Sequence, residues 1–331
     1  MHRFHSFATT LVAAAAATAA IAVAIAPAVA QAQSFPDKAI TFVVPFAAGT
    51  ATDQIARAIG NAVTAETKQP VIIDNKAGAS GFIASQSVAR APADGYTVLV
   101  TTNTTHAANE HLFKKLPYDP VKDFAPVTAL GKGGQIMVVS PAFPAKTVAE
   151  FVALARKQPG KYSFGSGSSS SRMAGELLQQ MADIKLLHVP YKSNTLAVTD
   201  LLGGQIDMMI TDAATGLPQV KAGKLRAIGV SGATRSPLAP EVPTISEAGV
   251  NGYEIGYWFA AYAPAKTPAA VVGRLNELLV KAARSEAAKA AFYEPTGTEV
   301  FTTTPQEMAN FQAGESQKWG RIVKAAGIEA E

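Results

Sequence analysis

Few residues of this 331-residue chain could carry out catalysis, and those that could do not form catalytic patterns. There is no cysteine, which excludes thiolate metal sites and cysteine nucleophiles. His106 and His111 flank Glu110, but their spacing does not place both rings on one face of a helix, as a metal pair requires. His188 lies in an apolar stretch that is typical of a packed, hydrogen-bonded histidine. The sequence therefore predicts no catalytic residue, no metal site and no cofactor.

Small and hydroxyl-bearing residues, by contrast, follow several predicted strands. Four such loops span Pro45–Asp53, Asn75–Gly81, Thr101–His106 and Gly165–Ser171. Where such residues begin a helix, backbone N–H groups lie exposed at the positive end of the helix dipole and can bind a carboxylate or phosphate. In open α/β sheets, ligands bind beyond the carboxyl ends of the strands, where these loops lie. None of the loops has a nucleotide-binding glycine pattern, so the loops favour another small anion.

The apolar spacing supplies the elements that would position these loops. Strands alternate with helices over Ala39–Pro45, Thr52–Thr67, Val71–Asp74, Gly81–Ala91 and Thr97–Thr101. The alternation restarts at Gln135, and two helices follow near the C-terminus. This pattern predicts an α/β protein with parallel sheets covered on both faces. The apolar segments Ala125–Leu130 and Tyr257–Ala263 lie where the chain would cross between two α/β lobes.

The first 32 residues have the pattern of a secretory signal peptide. Arg3 precedes an uninterrupted apolar run over Ala8–Ala30, and small-x-small cleavage sites occur at Ala28–Ala30 and Ala30–Ala32. The run is also about long enough to be an uncleaved membrane anchor, which is the alternative. We interpret residues 1–32 as a cleaved signal peptide and expect the mature protein in the periplasm.

The composition is that of a folded protein that does not bind nucleic acid. Hydrophobic residues make up 48% of the chain and charged residues 16%, which excludes a disordered chain. The net charge is +4, and no cluster of five or more Lys and Arg residues occurs. Nucleic acid is therefore not expected as a partner.

Taken together, the loops resemble those of a known family. Pro45-Phe46-Ala47-Ala48-Gly49, followed by Thr52-Asp53, looks like the first-loop signature of the tripartite tricarboxylate transporter substrate-binding proteins, the Bug family. The resemblance continues in order through the mature chain and is densest at Leu201–Asp207, Lys221–Ala227 and Pro240–Thr244.

This resemblance implies a fold and a function. The fold is the two-lobe type II periplasmic-binding fold, with crossover strands between the lobes. Lobe 1 would comprise residues 33–130 plus 258–331, and lobe 2 residues 131–257. The function would be that of a receptor rather than an enzyme. It would act as a monomer and capture a small organic acid for the membrane components of a tripartite tricarboxylate transporter.

The expected ligand-binding residues come from both lobes. The resemblance implies Phe46, Ala48, Ser166, Ser168, Ser169, Tyr191 and Asp212. The loops described above add Gly49, Thr50, Ser80 and Thr105. The family usually has glycines where Thr50 and Ala51 stand here, so these side chains would either narrow the pocket or add a hydroxyl donor.

Two other functions remain open from the sequence. A solute sensor that docks to a membrane signalling protein would show the same features. A secreted serine hydrolase could use a serine within Ser166–Ser171, and it would need a base near that loop.

Overall fold

The computed structural model describes residues 35–330, and the predicted signal peptide lies outside them. The strands are β1 (Ile40–Val44), β2 (Val71–Asn75), β3 (Thr97–Thr102), β4 (Phe124–Val139), β5 (Ser163–Ser166), β6 (Leu187–Pro190), β7 (Met208–Asp212), β8 (Arg226–Val230) and β9 (Gly256–Pro264). The main helices are α1 (Ala51–Thr67), α2 (Phe82–Ala89), α3 (Asn109–Leu112), α4 (Val148–Lys157), α5 (Ser169–Ala182), α6 (Asn194–Leu202), α7 (Ala213–Lys221), α8 (Ala269–Ala283) and α9 (Pro305–Ala325). Within residues 35–330, no helix has both the length and the hydropathy that a membrane crossing needs.

The strands join in the order β2-β1-β3-β9-β4-β7-β5-β6, with β8 beside β4. Strands β1 to β3 are parallel to one another, and so are β5 to β7, as the alternation of strands and helices predicts. Strands β4 and β9 run antiparallel to their neighbours. They differ because β4 crosses between the lobes and β9 pairs alongside its first-lobe part, so neither completes a βαβ unit.

Strand β4 carries the chain from one lobe to the other. Residues 124–134 pair with β9, whereas residues 135–139 pair with β7 and β8. The sequence predicted a crossing segment and a separate strand here. One continuous strand forms instead, because β4 has hydrogen-bonded partner strands along its whole length. The return path runs alongside, where Ser231 N donates to Gln135 O at 2.8 Å and Ile255 N donates to Ser231 O at 3.0 Å. This is the type II periplasmic-binding architecture that the resemblance implied.

Helix α9 packs on both lobes. It contacts β4 and the helical turn Thr104–Ala108 on one side and α5 on the other. Trp319 is buried in this contact, and Trp258 Nε1 donates to Glu315 Oε2 at 3.1 Å. Burying a large aromatic side chain contributes on the order of 2–3 kcal/mol. The helix thus links the two lobes through buried contacts.

Candidate binding site

A narrow cavity lies between the two lobes. Its volume is about 40 Å³, which accommodates about three water molecules at roughly 10–15 Å³ each. It is lined by Phe46, Thr50, Ala51, Thr52, Thr102, Gln135, Gly167, Ser168, Ser170, Asn194, Asp212, Tyr257 and Phe259. We call this space the inner cavity.

A wider pocket of about 350 Å³ adjoins the inner cavity, and Phe46, Gly167 and Ser168 line both. Its other walls are formed by Pro45, Gly78, Ser80, Gly81, Leu112, Phe113, Ser166, Ser169, Arg172, His188, Pro190, Tyr191 and Lys192. We call this space the outer pocket. The two spaces together run along the junction of the lobes.

The first-lobe loop, residues 45–50, is held by the Asp53 carboxylate, which is 2% exposed. Asp53 accepts hydrogen bonds from Gly49 N and Arg57 Nε, each at 2.9 Å. It also accepts one from Asn75 Nδ2 at 3.0 Å. Burial raises the pKa of Asp53, but these three hydrogen bonds outweigh it and hold the pKa below its usual value. An ionised carboxylate therefore fixes the first-lobe loop at neutral pH.

The first turn of α1 follows this loop directly. Thr50 Oγ1 donates to Ala47 O at 2.7 Å, so the hydroxyl that the sequence suggested as a ligand donor closes the loop instead. Ala51 and Thr52 line the inner cavity. Their N–H groups lie at the positive, N-terminal end of the helix. They have no hydrogen-bond acceptor within the helix, because no helical turn precedes them. This turn can donate to an anion.

The serine loop, residues 166–170, forms the opposite wall. Helix α5 begins at Ser169, earlier than the sequence indicated, because the Ser168 side chain caps it by accepting from Ser171 N at 3.2 Å. Gly167 N donates to Asn194 Oδ1 at 3.0 Å, and Asn194 Nδ2 donates to Asp212 Oδ2 at 3.0 Å. The serine loop is therefore held by a neutral amide, with the Asp212 carboxylate behind it.

Only glycine fits at position 167. A Cβ atom there would lie 1.9 Å from the carbonyl carbon of Ser193 and 2.1 Å from Asn194 N. Both are backbone atoms at the start of α6, so they cannot move aside as the end of a flexible side chain could.

Gln135 on β4 brings a buried amide to the inner cavity. It is 1% exposed, and its Oε1 has no hydrogen-bond partner among the described residues. It is paired with Asp212 in the β4–β7 register. An unpaired buried polar group costs about 1–3 kcal/mol. A ligand or water that hydrogen-bonds to this amide would recover that cost. A half-turn of the amide exchanges the positions of its oxygen and its NH₂ group, so the amide can either accept or donate a hydrogen bond.

The two spaces differ in charge. Among the residues that line the inner cavity, Asp212 is the one charged group, and there is no cation. The lining of the outer pocket has Arg172, His188 and Lys192 and no acidic residue. Arg172 Nε lies 3.8 Å from Glu176 Oε1, which offsets part of its charge.

The lobes also contact each other directly at the outer pocket. Ser169 Oγ donates to Asn109 Oδ1 at 3.0 Å. Asn109 Nδ2 in turn donates to Ser80 O at 2.9 Å. This chain of bonds joins the serine loop to the first lobe, so the two lobes are in direct contact here.

The residues selected from the sequence divide between the two spaces. The inner cavity contains Phe46, Thr50, Ser168 and Asp212. The outer pocket contains Phe46, Ser80, Ser166, Ser168, Ser169 and Tyr191. Ala48 and Gly49 form an exposed tip and are not part of either lining. Thr105 is 1% exposed and bonds to Thr101 Oγ1 at 2.6 Å and His106 Nδ1 at 2.8 Å, away from both linings.

Sequence reasoning missed several residues of the inner cavity. It did not select Ala51, Thr52, Thr102, Gln135, Gly167, Ser170, Asn194, Tyr257 or Phe259. Five of these residues lie within the predicted loops, so the loop pattern could have identified them: Ala51, Thr52, Thr102, Gly167 and Ser170. Gln135 has no such signal, because it lies inside an apolar strand and faces the cavity only through the crossing of β4.

Ser166 and His188 form a close pair on neighbouring strands. The distance between Ser166 Oγ and His188 Nε2 is 2.7 Å, and the His188 ring stacks on Phe164 with centroids 4.9 Å apart. The base that the hydrolase alternative requires is thus present beside the serine loop.

The chain is similar to known proteins over most of its length. The family described as "Tripartite tricarboxylate transporter family receptor" matches residues 55–328. Protein BugT of Bordetella pertussis is 31% identical over 301 residues, covering 90% of this chain and 92% of BugT. The solved structure of R. palustris Rpa4515 with adipate has a TM-score of 0.87 and 33% identity, covering 90% of this chain and 100% of that one. MatC (Rpa3494) from Rhodopseudomonas palustris with bound malate has a TM-score of 0.82 and 31% identity, covering 87% of this chain and 100% of that one.

Proposed function

Because this chain belongs to the tripartite tricarboxylate transporter receptor family, which includes Bug proteins, we propose that it captures a small organic carboxylate in the periplasm for a membrane transporter of that type. The family match confirms the resemblance seen in the loops. Solute binding is the common property of this family. The carboxylate, the location and the transporter are the parts that we propose.

The observation that carries the proposal is the buried amide of Gln135, which after a half-turn presents its NH₂ group as a donor in an inner cavity whose other donors are neutral. The first turn of α1 offers N–H groups, and Ser168 and Ser170 offer hydroxyls from the other lobe. A helix N-terminus favours a negative charge by about 0.3–1 kcal/mol. Several such contacts are needed together, because a carboxylate loses its hydration on entering the cavity.

The relatives support the choice of a carboxylate. Rpa4515 was solved with adipate and MatC with malate. Both have this fold over the full length of their chains. We therefore place small mono- and dicarboxylates first among the candidate ligands.

Binding and closure would be coupled. A ligand enters when the lobes are apart, since both walls of the inner cavity are then open to solvent. Phe46, Tyr257 and Phe259 would pack against its carbon chain. Closure about β4 and the Ser231–Ile255 return path then excludes water and allows the Ser169–Asn109 bond to form.

We propose export through the predicted signal peptide, residues 1–32, and action as a monomer without nucleic acid. The membrane components of the transporter would recognise the closed lobes. A sensor that passes the same signal to a membrane signalling protein is the alternative. Deleting the gene distinguishes the two: loss of solute uptake supports the transport role, whereas normal uptake with loss of the transcriptional response supports the sensor.

Thermal unfolding with a panel of solutes tests the carboxylate proposal. A carboxylate at ~100 times its dissociation constant should raise the free energy of unfolding by about 2.7 kcal/mol. Sugars and amines at the same concentrations are the controls. A shift with a sugar or an amine and with no organic acid would contradict the proposal.

The Ser166–His188 pair favours a second candidate, ester hydrolysis at the outer pocket. We propose that the pair instead links β5 to β6, since Ser166 is only 4% exposed. The prediction is no turnover of a chromogenic ester above the Ser166→Ala background. Turnover by the wild-type protein that this substitution abolishes would establish the hydrolase.

A further inference from the structure

Tyr257, near the start of β9, belongs both to the wall of the inner cavity and to the crossing between the lobes. Its side chain lines the inner cavity and is buried. In the register between β4 and β9, Tyr257 is paired with Gly133. Gly133 lies in the part of β4 where its pairing changes from β9 to β7 and β8. A ligand in the cavity and a bend of the crossing strand therefore both act on this one side chain.

The Tyr257 ring lies across β4 and reaches a segment on the other edge of that strand, residues 296–299, which we call the strap. Lys132 N donates to Glu299 O at 3.1 Å and Glu299 N donates to Lys132 O at 2.9 Å, so the strap is bonded to β4 beside Gly133. A Cβ on Gly133 would lie 2.6 Å from Tyr257 Oη and 2.8 Å from its Cζ. The ring can therefore cross β4 only where a glycine leaves room for it.

Three hydroxyl groups tie the ring to the strap. Thr296 Oγ1 donates its single proton to Phe292 O at 2.7 Å and lies 2.8 Å from Thr298 Oγ1. Thr298 therefore donates to Thr296, and Tyr257 Oη donates to Thr298 Oγ1 at 2.9 Å. All three side chains are buried. Burial raises the pKa of Tyr257 above its usual value, so its hydroxyl keeps the proton that it donates.

The strap also contacts the second lobe. A Cβ on Gly297 would lie 3.1 Å from Leu238 Cγ, and Leu238 packs against a core cluster of the second lobe. The segment that Tyr257 holds therefore touches both lobes. A bend of β4 at Gly133 changes the gap that the Tyr257 ring spans. Because a hydrogen bond weakens when its length and angle change, the bond to Thr298 depends on the angle between the lobes.

We propose that Tyr257 is a positioning residue that couples a ligand in the inner cavity to closure of the lobes. Its hydrogen bond to Thr298 favours the arrangement in which the lobes are in contact at Ser169 and Asn109. A ligand that packs on the ring holds the ring where it makes this bond. The inference rests on the proposed function and adds to it a hydroxyl that sets affinity from outside the cavity.

Thr298→Val tests the coupling without changing the cavity, because Thr298 is not part of the inner-cavity lining. We expect the ligand-free variant to have a larger radius of gyration than the wild type by X-ray scattering. Calorimetry with succinate, malate and adipate should show about three- to tenfold weaker binding of each acid that the wild type binds, as the loss of one hydrogen bond produces. Thr298→Ser keeps the hydroxyl and should restore both values.

Tyr257→Phe removes the same hydrogen bond from its other end. It should enlarge the ligand-free protein and weaken binding to the same extent as Thr298→Val. The double variant should be no worse than either single variant, because both substitutions remove one shared interaction. Additive losses of affinity would show that the two residues act separately and would overturn the coupling.

Tyr253→Phe is the control for the loss of a buried hydroxyl. Tyr253 Oη donates to Ala174 O at 2.7 Å, within the second lobe. This variant should lose stability but keep the wild-type radius of gyration and affinity. The coupling is overturned if ligand-free Thr298→Val has the wild-type radius, if its affinity is unchanged, or if Tyr253→Phe shows the same changes. Scattering needs no ligand, so binding of no acid by the wild type counts against the carboxylate function, whereas an unchanged radius counts against the coupling.

Discussion

The two loops that meet across the cleft are held in different ways. The first-lobe loop is bonded directly to an ionised, buried carboxylate, Asp53, which also binds Arg57. The serine loop is bonded to the neutral amide of Asn194 and is fixed by a close backbone contact at Gly167. The first-lobe loop thus depends on charge, whereas the serine loop depends on steric fit. Four substitutions test these contributions separately.

Gly167→Ala should have the largest effect, because its methyl group would overlap the backbone at Ser193 and Asn194. We expect the free energy of unfolding to fall by about 3 kcal/mol, as overpacking does. Urea unfolding followed by circular dichroism measures it. Gly314→Ala is the control, since a Cβ there meets nothing within 4 Å in α9 and should stabilise the helix by roughly 0.5–1 kcal/mol. Equal stability of the two variants would refute steric fit at the serine loop.

Asp53→Asn should destabilise the protein by about 2 kcal/mol at neutral pH, since it removes charge-assisted bonds to Arg57 and Gly49. The folded-state pKa of Asp53 is lowered, so its stabilising contribution is present above the unfolded-state value of about 3.9 and is lost as the pH falls through the lower, folded-state value. At acidic pH, the free energy of unfolding should therefore decrease more steeply with falling pH for the wild type than for the variant.

The control for this prediction is Asp74→Asn. Asp74 has a side chain 41% exposed and pairs with Lys76 at 3.4 Å. An exposed pair of this kind contributes about 0–1 kcal/mol. If the free energy of unfolding had the same pH dependence at acidic pH in the wild type and in Asp53→Asn, charge would not hold the first-lobe loop.

Gln135→Leu tests whether a side chain of the crossing strand β4 contributes to ligand binding in addition to the two loops. Leucine replaces an amide whose oxygen is unpaired, so we expect no loss of stability and about tenfold weaker ligand binding, or ~1.4 kcal/mol. Thermal unfolding and calorimetry measure the two quantities. Gln306→Leu changes an exposed glutamine of α9 and should alter neither. Unchanged affinity in Gln135→Leu would remove the observation on which the proposed function rests.

Ser169→Ala should have the smallest effect. It removes the hydrogen bond that joins the serine loop to Asn109 of the other lobe. Such a bond contributes about 1 kcal/mol, so we expect a severalfold loss of affinity and a larger radius of gyration by X-ray scattering without ligand. Ser87→Ala is the control, because the hydrogen bond that Ser87 Oγ donates to Ala84 O at 2.8 Å lies within α2. The same scattering curve for Ser169→Ala and the wild type would show that this bond does not hold the lobes closed.

Much of the fold could be predicted from the chain. The spacing of Ile55, Ile59 and Val63 predicts α1, and all three side chains are buried. Thr147 was predicted to cap α4, and its side chain accepts from Glu150 N at 3.2 Å. Such local signals are reliable because capping and amphipathic burial involve residues close in sequence. The single 16-residue strand β4 was not predicted, because its pairing partners lie far away in sequence.

The amino-acid sequence was enough to predict the family, the alternation of strands and helices, and the loops that would face a ligand. These features follow from periodicity and from residues that begin helices, which are local properties. The folded molecule was needed to see which residues of those loops share a space, that Thr105 points away, and that Gln135 faces the inner cavity. The separation of a neutral inner cavity from a cationic outer pocket also required it, because both spaces exist only where residues distant in sequence are packed together.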